Sequence, residues 1–365
     1  MNIQQATQEY EIWLAKHLTL IDGDLTLKHT HMTEDPFSFF RATFYRWVQL
    51  WMERKSDFIK APLVLAVGDL HVENFGTWRD IEGRLIWGVN DFDEAAWMPH
   101  TLDLVRLATS ARLAIKLGHL TITSKEAADA LLQGYRESLE ATGSAFVLAE
   151  HHKGLREMAM SNLRDAERFW AKMEALPLAL PPVPKAAVTA LESMLPEPGL
   201  SYILSHRIAG LGSLGRQRYT ALADWRGGKV AREAKALAPS AYCWQQTGNT
   251  SNEIQYQTIL NNAVRCFDPT VRLIDGWIIR RLAPDCSRID LSSLSKQGDM
   301  TRLLHAMGWE TANVHLGSRQ ATEQVKHDLK QRPSDWLYLA AKEMADLVTT
   351  DWNDWKTGVA PSTKK

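Results

Sequence analysis

The sequence predicts a mixed α+β protein in two lobes, a larger, mostly helical one and a smaller antiparallel β one. Three observations point there. Apolar residues recur at helical spacing through the N-terminal segments and again from Pro99 onward. A stretch with four prolines, "LPLALPPVPK", interrupts the chain near residue 180; Pro removes a backbone donor and restricts its predecessor, so this marks a boundary. Beyond it come β-type stretches around Gly-rich turns. At 365 residues the chain can build two cores.

The opening segment "MNIQQATQEYEIWLAKHLTL" and "DPFSFFRATFYRWVQLWMERK" (35–55) both read as helix. Next, "APLVLAVGDL" is a short apolar run ending in Gly-Asp, a buried strand feeding a turn. "GRLIWGVNDFDE" repeats that form, and two strand-then-acid units this close predict a hairpin whose ends converge on one site. From Pro99 the pattern is helical to about Ala175, with Thr123 and Glu126 at capping-box spacing. After the boundary, "RGGK" is a Gly-Gly hairpin signal, and "PTVRLIDGWIIRRL" predicts a further strand pair. Helices return from Met300, and the tail "TGVAPSTKK" is expected to fray.

The charge balance is nearly even, 42 basic against 43 acidic side chains, net −1. That argues against a general nucleic-acid or membrane-surface binder, so any phosphate recognition must be local. No apolar run is long enough to span a bilayer, and no secretory h-region is evident. The three cysteines, Cys243, Cys266 and Cys286, lack CxxC spacing and read as free thiols. A reducing, cytoplasmic location without structural zinc is expected.

The first chemical signal is "VGDLHVENFG" (67–76), followed by "NDFDE" (90–94). A carboxylate and an amide oxygen are hard ligands suited to Mg²⁺, which binds through few protein groups plus phosphate oxygens. Asp69 and Asn74 stand five residues apart, a spacing that in phosphoryl-transfer loops separates the acceptor-orienting acid from a metal-binding Asn. Asp91, at the end of a strand, could supply the second metal ligand. Asp and Asn after a strand are also ordinary turn formers; the conjunction of strand, turn acid, Asn, second strand and acid cluster favours function. A metal-dependent hydrolase on Asp69, His71, Asp91 and Asp93 is the alternative, and it leaves the next motif unexplained.

That motif is "GLGSLG", with Gly210, Gly212, Ser213 and Gly215 in a GxGxxG pattern. A dinucleotide-binding turn would open a helix; here "RQRYTALADW" follows and looks like strand, which favours a Gly-rich β-turn over phosphates. A plain hairpin without ligand is the bland reading. A cation on the next strand would pair with those phosphates. Residues 230, 232 and 234 share one strand face and Lys235 the other, which makes Arg232 the expected phosphate-facing cation and turns Glu233 away.

"GDLHVENFG", "VNDFDEA" and "DLVRL" resemble the protein-kinase-like superfamily, especially its aminoglycoside and choline kinase branch. With "KHTHMTEDPFSFFRA", "GLGSLGRQRY", "REAKALAPSA" and "ETANVHLGSR", the chain is also similar to the bacterial family termed domain of unknown function 2252. The resemblance implies a two-lobed kinase-like fold that uses ATP and Mg²⁺ to phosphorylate a hydroxyl of a small molecule or protein, with no nucleic acid or membrane partner. Asp69 is then the catalytic base, Asn74 and Asp91 the Mg²⁺ ligands, and Gly210, Gly212, Ser213, Gly215 and Arg232 the nucleotide contacts; His315 matches a recurrent position without an assigned role. Because the Gly-rich turn follows the catalytic loop, the lobes would be permuted: 1–175 a helical lobe with catalytic loop and metal-binding strand (85–94), 176–200 the boundary, 201–290 the nucleotide lobe, 291–365 helices packing back. Arg232 where kinases carry Lys leaves two further readings open, a regulatory nucleotide-binding module without chemistry and a nucleotidyltransferase.

Overall fold

The computed structural model describes residues 1–53, 58–149, 151–161, 165–246, 253–289, 291 and 297–359. It is a mixed α+β structure with antiparallel sheets. The N-terminal helices are α1 (Ile3–Leu14), α2 (Asp22–His31), α3 (Pro36–Ala42) and α4 (Phe44–Glu53). Asp35 caps α3 through the amides of Phe37 and Ser38, with Pro36 at the first helical position. Thr43 separates α3 from α4, so the stretch that reads as one helix is two. Of the tail expected to fray (357–365), residues 357–359 end the last helix and 360–365 lie outside the described residues.

The two strand-then-acid units are not one hairpin. Strand β1 (Leu63–Ala66) pairs with β4 (Ala96–Pro99), while β2 (Phe75–Arg79) pairs with β3 (Leu85–Val89). Each acidic stretch therefore exits a different ladder, and the β2–β3 hairpin runs between them. The buried helix α5 (His100–Lys116) follows directly. Helix α6 (Ser124–Glu140) carries the Thr123–Glu126 capping box, and β5 (Phe146–Val147) joins the edge of β3. Helices α7 (Lys153–Ser161) and α8 (Ala166–Glu174) lead to the Pro-rich segment.

That segment holds a helix of its own, α9 (Lys185–Ser193). It lies on one face of a five-stranded sheet made of β6 (Ile203–His206), β7 (Arg218–Trp225), β8 (Gly228–Ala236), β9 (Arg272–Ile274) and β10 (Trp277–Leu282), in the order β6-β7-β8-β10-β9. The β7–β8 turn has Arg226 and Gly227 at φ 48° and 84°, the two left-handed residues that match the twist of a tight hairpin. Tyr219, Ala221, Ala234, Ala236, Trp277 and Ile279 pack on Ala187, Ala190 and Leu191 of α9. Strand parity then sends Arg218, Glu233, Lys235 and Arg280 to the opposite face.

Short helices α10 (Ala241–Gln245) and α11 (Tyr256–Asn262) connect the sheet strands. The chain closes with α12 (Gln297–His315), α13 (Thr322–Gln331) and α14 (Trp336–Val359), which pack with the N-terminal helices, α5 and α6 around the main core. No helix among the described residues is long and apolar enough to cross a membrane.

Candidate active site

Between the face of the sheet away from α9 and the β2–β3 hairpin lies a cavity of about 320 Å³. Its floor is built by the two acidic stretches. Asp103 of α5 accepts hydrogen bonds from the amides of Val67 and Gly68, at 2.7 and 2.8 Å, and so fixes the turn that carries Asp69. His315 at the end of α12 holds Asp103 in turn, with Nε2 3.0 Å from Oδ2 and Nδ1 2.8 Å from the Tyr135 hydroxyl. This is the role of His315: it positions the loop from behind. Asn74 Nδ2 donates to the carbonyls of Asp69 and Asp91, 3.2 Å each, and ties the two stretches together.

Asp69 is anchored from below by Arg106, which is buried and stacked on Phe40, Phe44 and Trp47. Arg106 Nη2 and Nε approach Asp69 Oδ1 at 2.5 and 3.0 Å. Burial nevertheless dominates, and against the pull of Arg106 it pushes the Asp69 carboxyl up to about 6. The other oxygen, Oδ2, lies under the Gly-rich turn. A Cβ added to Gly212 would stand 3.2 Å from Asp69 Oδ2 and 3.0 Å from the Arg41 carbonyl, so a larger residue would press the turn a few tenths of an ångström away from Asp69.

Gly210, Gly212, Ser213 and Gly215 thus form a loop between β6 and β7 that sits over Asp69. Within it, Ser213 Oγ donates to the Gly210 carbonyl at 3.2 Å and accepts from Arg218 Nη2 at 2.6 Å. Lys28 of α2 reaches in from the N-terminal side and donates to the Gly212 carbonyl at 3.3 Å; burial lowers its ammonium to about 8.

The expectation for Arg232 is corrected here. The strand parity is right, but the face bearing Arg232 is the one covered by α9, where its Nε donates to the Met194 carbonyl at 2.8 Å. The cation that faces the acids is Lys235. It is buried, with Nζ 3.2 Å from both Asp91 oxygens and 2.5 Å from Asp93 Oδ1. Burial opposes ionisation of Asp91, but Lys235, Asp93, Arg280 and Arg218 together hold it well below the usual carboxylate range. Asp93 moves the other way, raised by burial and by the adjacent Asp91 charge. Glu233 faces away from Arg232, as expected; it shares the Lys235 face and binds Arg207, Arg218 and Arg280.

Glu94 joins the halves of the site. Its Oε1 accepts from Arg216 at 2.8 Å and its Oε2 from the Ala241 amide at 2.6 Å. Both side chains are under a tenth exposed, and removing one partner of a buried pair strands the other charge. Glu94→Ala is therefore expected to cost about 3–5 kcal/mol of stability, read as a lowered urea midpoint, while exposed Glu323→Ala shifts it little.

Of the tryptophans near the acidic stretches, Trp78 lines the cavity under Arg265, at 4.5 Å from the guanidinium to the ring centre. Trp87 is core and Trp97 is half exposed. In all, nine cationic side chains line the cavity against six carboxylates, an excess of three in a chain whose overall charge is −1. Sequence reasoning missed Lys28, Glu73, Arg106, Arg216, Arg218 and Arg280, and set Lys235 aside. Lys28, Glu73, Arg106, Arg216 and Arg218 all lie in stretches that stand out in the sequence, "KHTHMTEDPFSFFRA", "GDLHVENFG", "DLVRL" and "GLGSLGRQRY", but nothing local gives any of them a task.

Residues 20–174 match the family model described as "Uncharacterized protein conserved in bacteria (DUF2252)". The matched stretch covers Asp69, Asn74 and Asp91 but ends before the Gly-rich turn. No curated protein and no solved structure matches the chain.

Proposed function

We propose that this chain is an ATP- and Mg²⁺-dependent phosphotransferase acting on a hydroxyl of a small molecule or protein, on a permuted two-lobed kinase-like fold. One observation carries the reading: a glycine turn rests on Asp69 while Asn74 links Asp69 to Asp91, beneath a sheet face of cations. Asp69 is the base, with Oδ1 fixed by Arg106 and Oδ2 turned to the acceptor hydroxyl. Lys28 and the loop over Asp69 orient the polyphosphate, and Lys235 holds the Asp91 and Asp93 carboxylates from behind.

The donor set fits magnesium. Asp91 stays ionised and a third of its side chain is exposed, and Asn74 spends its Nδ2 on two carbonyls, so its Oδ1 is the atom for a cation. Among the described residues no group of three or more His, Cys, Asp or Glu side chains could hold a metal ion; magnesium asks for less, taking its remaining oxygens from phosphate and water. Bound there, it neutralises charge that develops on the transferring phosphoryl group. A hydrolytic metal centre on Asp69, His71, Asp91 and Asp93 fits poorly, because Arg106 and Lys235 pair with all three of those acids, leaving only Asp91 a third exposed. The reading without chemistry drew on Arg232 at the phosphate position; with Lys235 facing the acids, that support is gone.

The test is transfer of labelled γ-phosphate from ATP to a metabolite and protein panel. Label moving instead from the α-phosphate points to nucleotidyl transfer, and ATP·Mg²⁺ raising Tm without any transfer points to a binding module. Because Asp69 must be ionised to accept a proton and titrates at about 6, kcat/KM is expected to rise tenfold per pH unit below about 6 and level off above it. A rate flat from pH 5 to 8 contradicts the role of Asp69.

A further inference from the structure

Glu73, in the middle of the "VENFG" stretch, is assigned nothing by the reaction above. It stands at the cavity mouth between Arg41, in the last turn of α3, and Arg288, in the segment after β10. Both guanidiniums close on the same oxygen, Oε2, at 2.7 Å each. One carboxylate thus serves two cations from distant parts of the chain. The buried Nε of Arg41 has no hydrogen-bond partner.

Among the described residues no other carboxylate forms an ion pair with Arg41 or Arg288, although Asp69 and Asp35 lie near enough to Arg41 to favour its charge. Asp69 is taken by Arg106. His71 is neutral, pushed down by burial and then by Arg41, Arg106 and Arg288, and its Nδ1 accepts from the Glu73 amide at 3.2 Å. The proton of that neutral ring therefore sits on Nε2, as a donor in the same mouth. The side chains of Arg41, Glu73 and Arg288 are 18%, 26% and 50% exposed. The Arg288–Glu73 pair is open to water on the Arg288 side and holds weakly, so on that side the Glu73 carboxylate can be exchanged for another anion. Two planar guanidiniums converging on one oxygen match the fork geometry of a phosphate or carboxylate. Arg41, Arg288 and Asp69 line the same cavity, and both guanidiniums act on His71, two positions from Asp69. An anion here shares the cavity with the base.

We propose that Arg41 and Arg288 form an anion subsite which Glu73 occupies in the empty enzyme, and that the acceptor is an alcohol carrying its own phosphate or carboxylate group. The word acceptor rests on the phosphotransferase reading; the subsite itself does not. An anionic acceptor displaces Glu73, takes both guanidiniums and the His71 Nε2 proton, and sets its hydroxyl over Asp69. Glu73 then acts as a gate that admits anions and leaves neutral alcohols unheld.

The test uses the full chain without nucleotide, titrated with inorganic phosphate and separately with acetate by calorimetry. Glu73→Gln is expected to tighten the favoured anion by roughly threefold to tenfold, and Arg288→Gln to weaken it by about tenfold or more. The stronger of the two titrations tells a phosphorylated from a carboxylated acceptor. Affinities unchanged by both substitutions, or weakened by Glu73→Gln, overturn the subsite and assign the trio to a latch between segments. Arg41→Gln is expected to weaken that anion likewise, and should it fail to fold, half-exposed Arg288 decides alone. ATP·Mg²⁺ affinity is measured on the same variants and is expected to stay within about twofold. If ATP binds no form while phosphate responds as stated, the nucleotide reading fails and the subsite stands.

Discussion

Lys235→Met is expected to lower kcat/KM by about 10²–10³-fold, whereas Arg232→Met changes it by less than about threefold. Lys235 Nζ is the buried counter-charge of both Asp91 and Asp93. Without it two adjacent carboxylates face each other, and Asp93, already raised by burial and by Asp91, keeps its proton. Asp91 then loses the cation that holds it ionised and becomes a poorer ligand for a divalent ion. Lys235→Arg is expected to rescue little, because a planar fork replaces a compact ammonium in a place only 1% exposed. Arg232 has a different task. On the α9 side of the sheet it donates to the carbonyl that follows the helix, so its loss is expected to cost about 1 kcal/mol of stability and to leave ATP affinity alone. Equal losses of activity in the two variants contradict the orientation of the sheet toward the cavity.

The contrast between these two residues also defines how much the sequence could tell. Alternation along β8 separates Arg232 from Lys235 without ambiguity. It does not say which face meets a helix and which meets the acids, and α9, the helix that decides this, is hidden in a proline-rich stretch that reads as linker. The gathering of Asp69, Asn74 and Asp91 was legible because each follows a short apolar run, so local pattern alone sets it up. Their supports were not. Arg106 lies 37 positions from Asp69, Arg216 lies 122 from Glu94 and Lys28 lies 184 from Gly212; no window-based pattern relates such pairs, and each becomes visible only through packing. His315 is the intermediate case, since its stretch stands out in the sequence while its task depends on Asp103, 212 positions away.

Asp69→Asn is expected to abolish turnover, by about 10³-fold or more, while ATP·Mg²⁺ binding stays near that of the parent. The amide keeps the shape of the side chain and can still accept from Arg106, but it cannot take the acceptor's proton. The same substitution is expected to leave the protein at least as stable at pH 7, which separates lost chemistry from lost structure. The sign follows from the raised carboxyl. Asp69 titrates at about 6 when folded against an ordinary value of 3.8, so its proton-linked stability is fully present below about pH 4 and is lost as pH rises through 6. At neutral pH the parent bears an ionised group whose burial outweighs its pairing; the Asn variant does not. Arg106 keeps the Phe40 carbonyl at 3.0 Å and its three aromatic rings, so it is not left bare. Urea titrations at pH 7 and pH 4 check the point. The variant's advantage should shrink to a small remainder at the lower pH, where the folded parent's carboxyl is protonated and the unfolded one is about half so. A variant less stable at pH 7, with a gap that widens with pH, means that the pairing with Arg106 dominates instead. The Asp69 carboxyl then stays ionised well below pH 6, and the rate rise expected near that pH disappears with it.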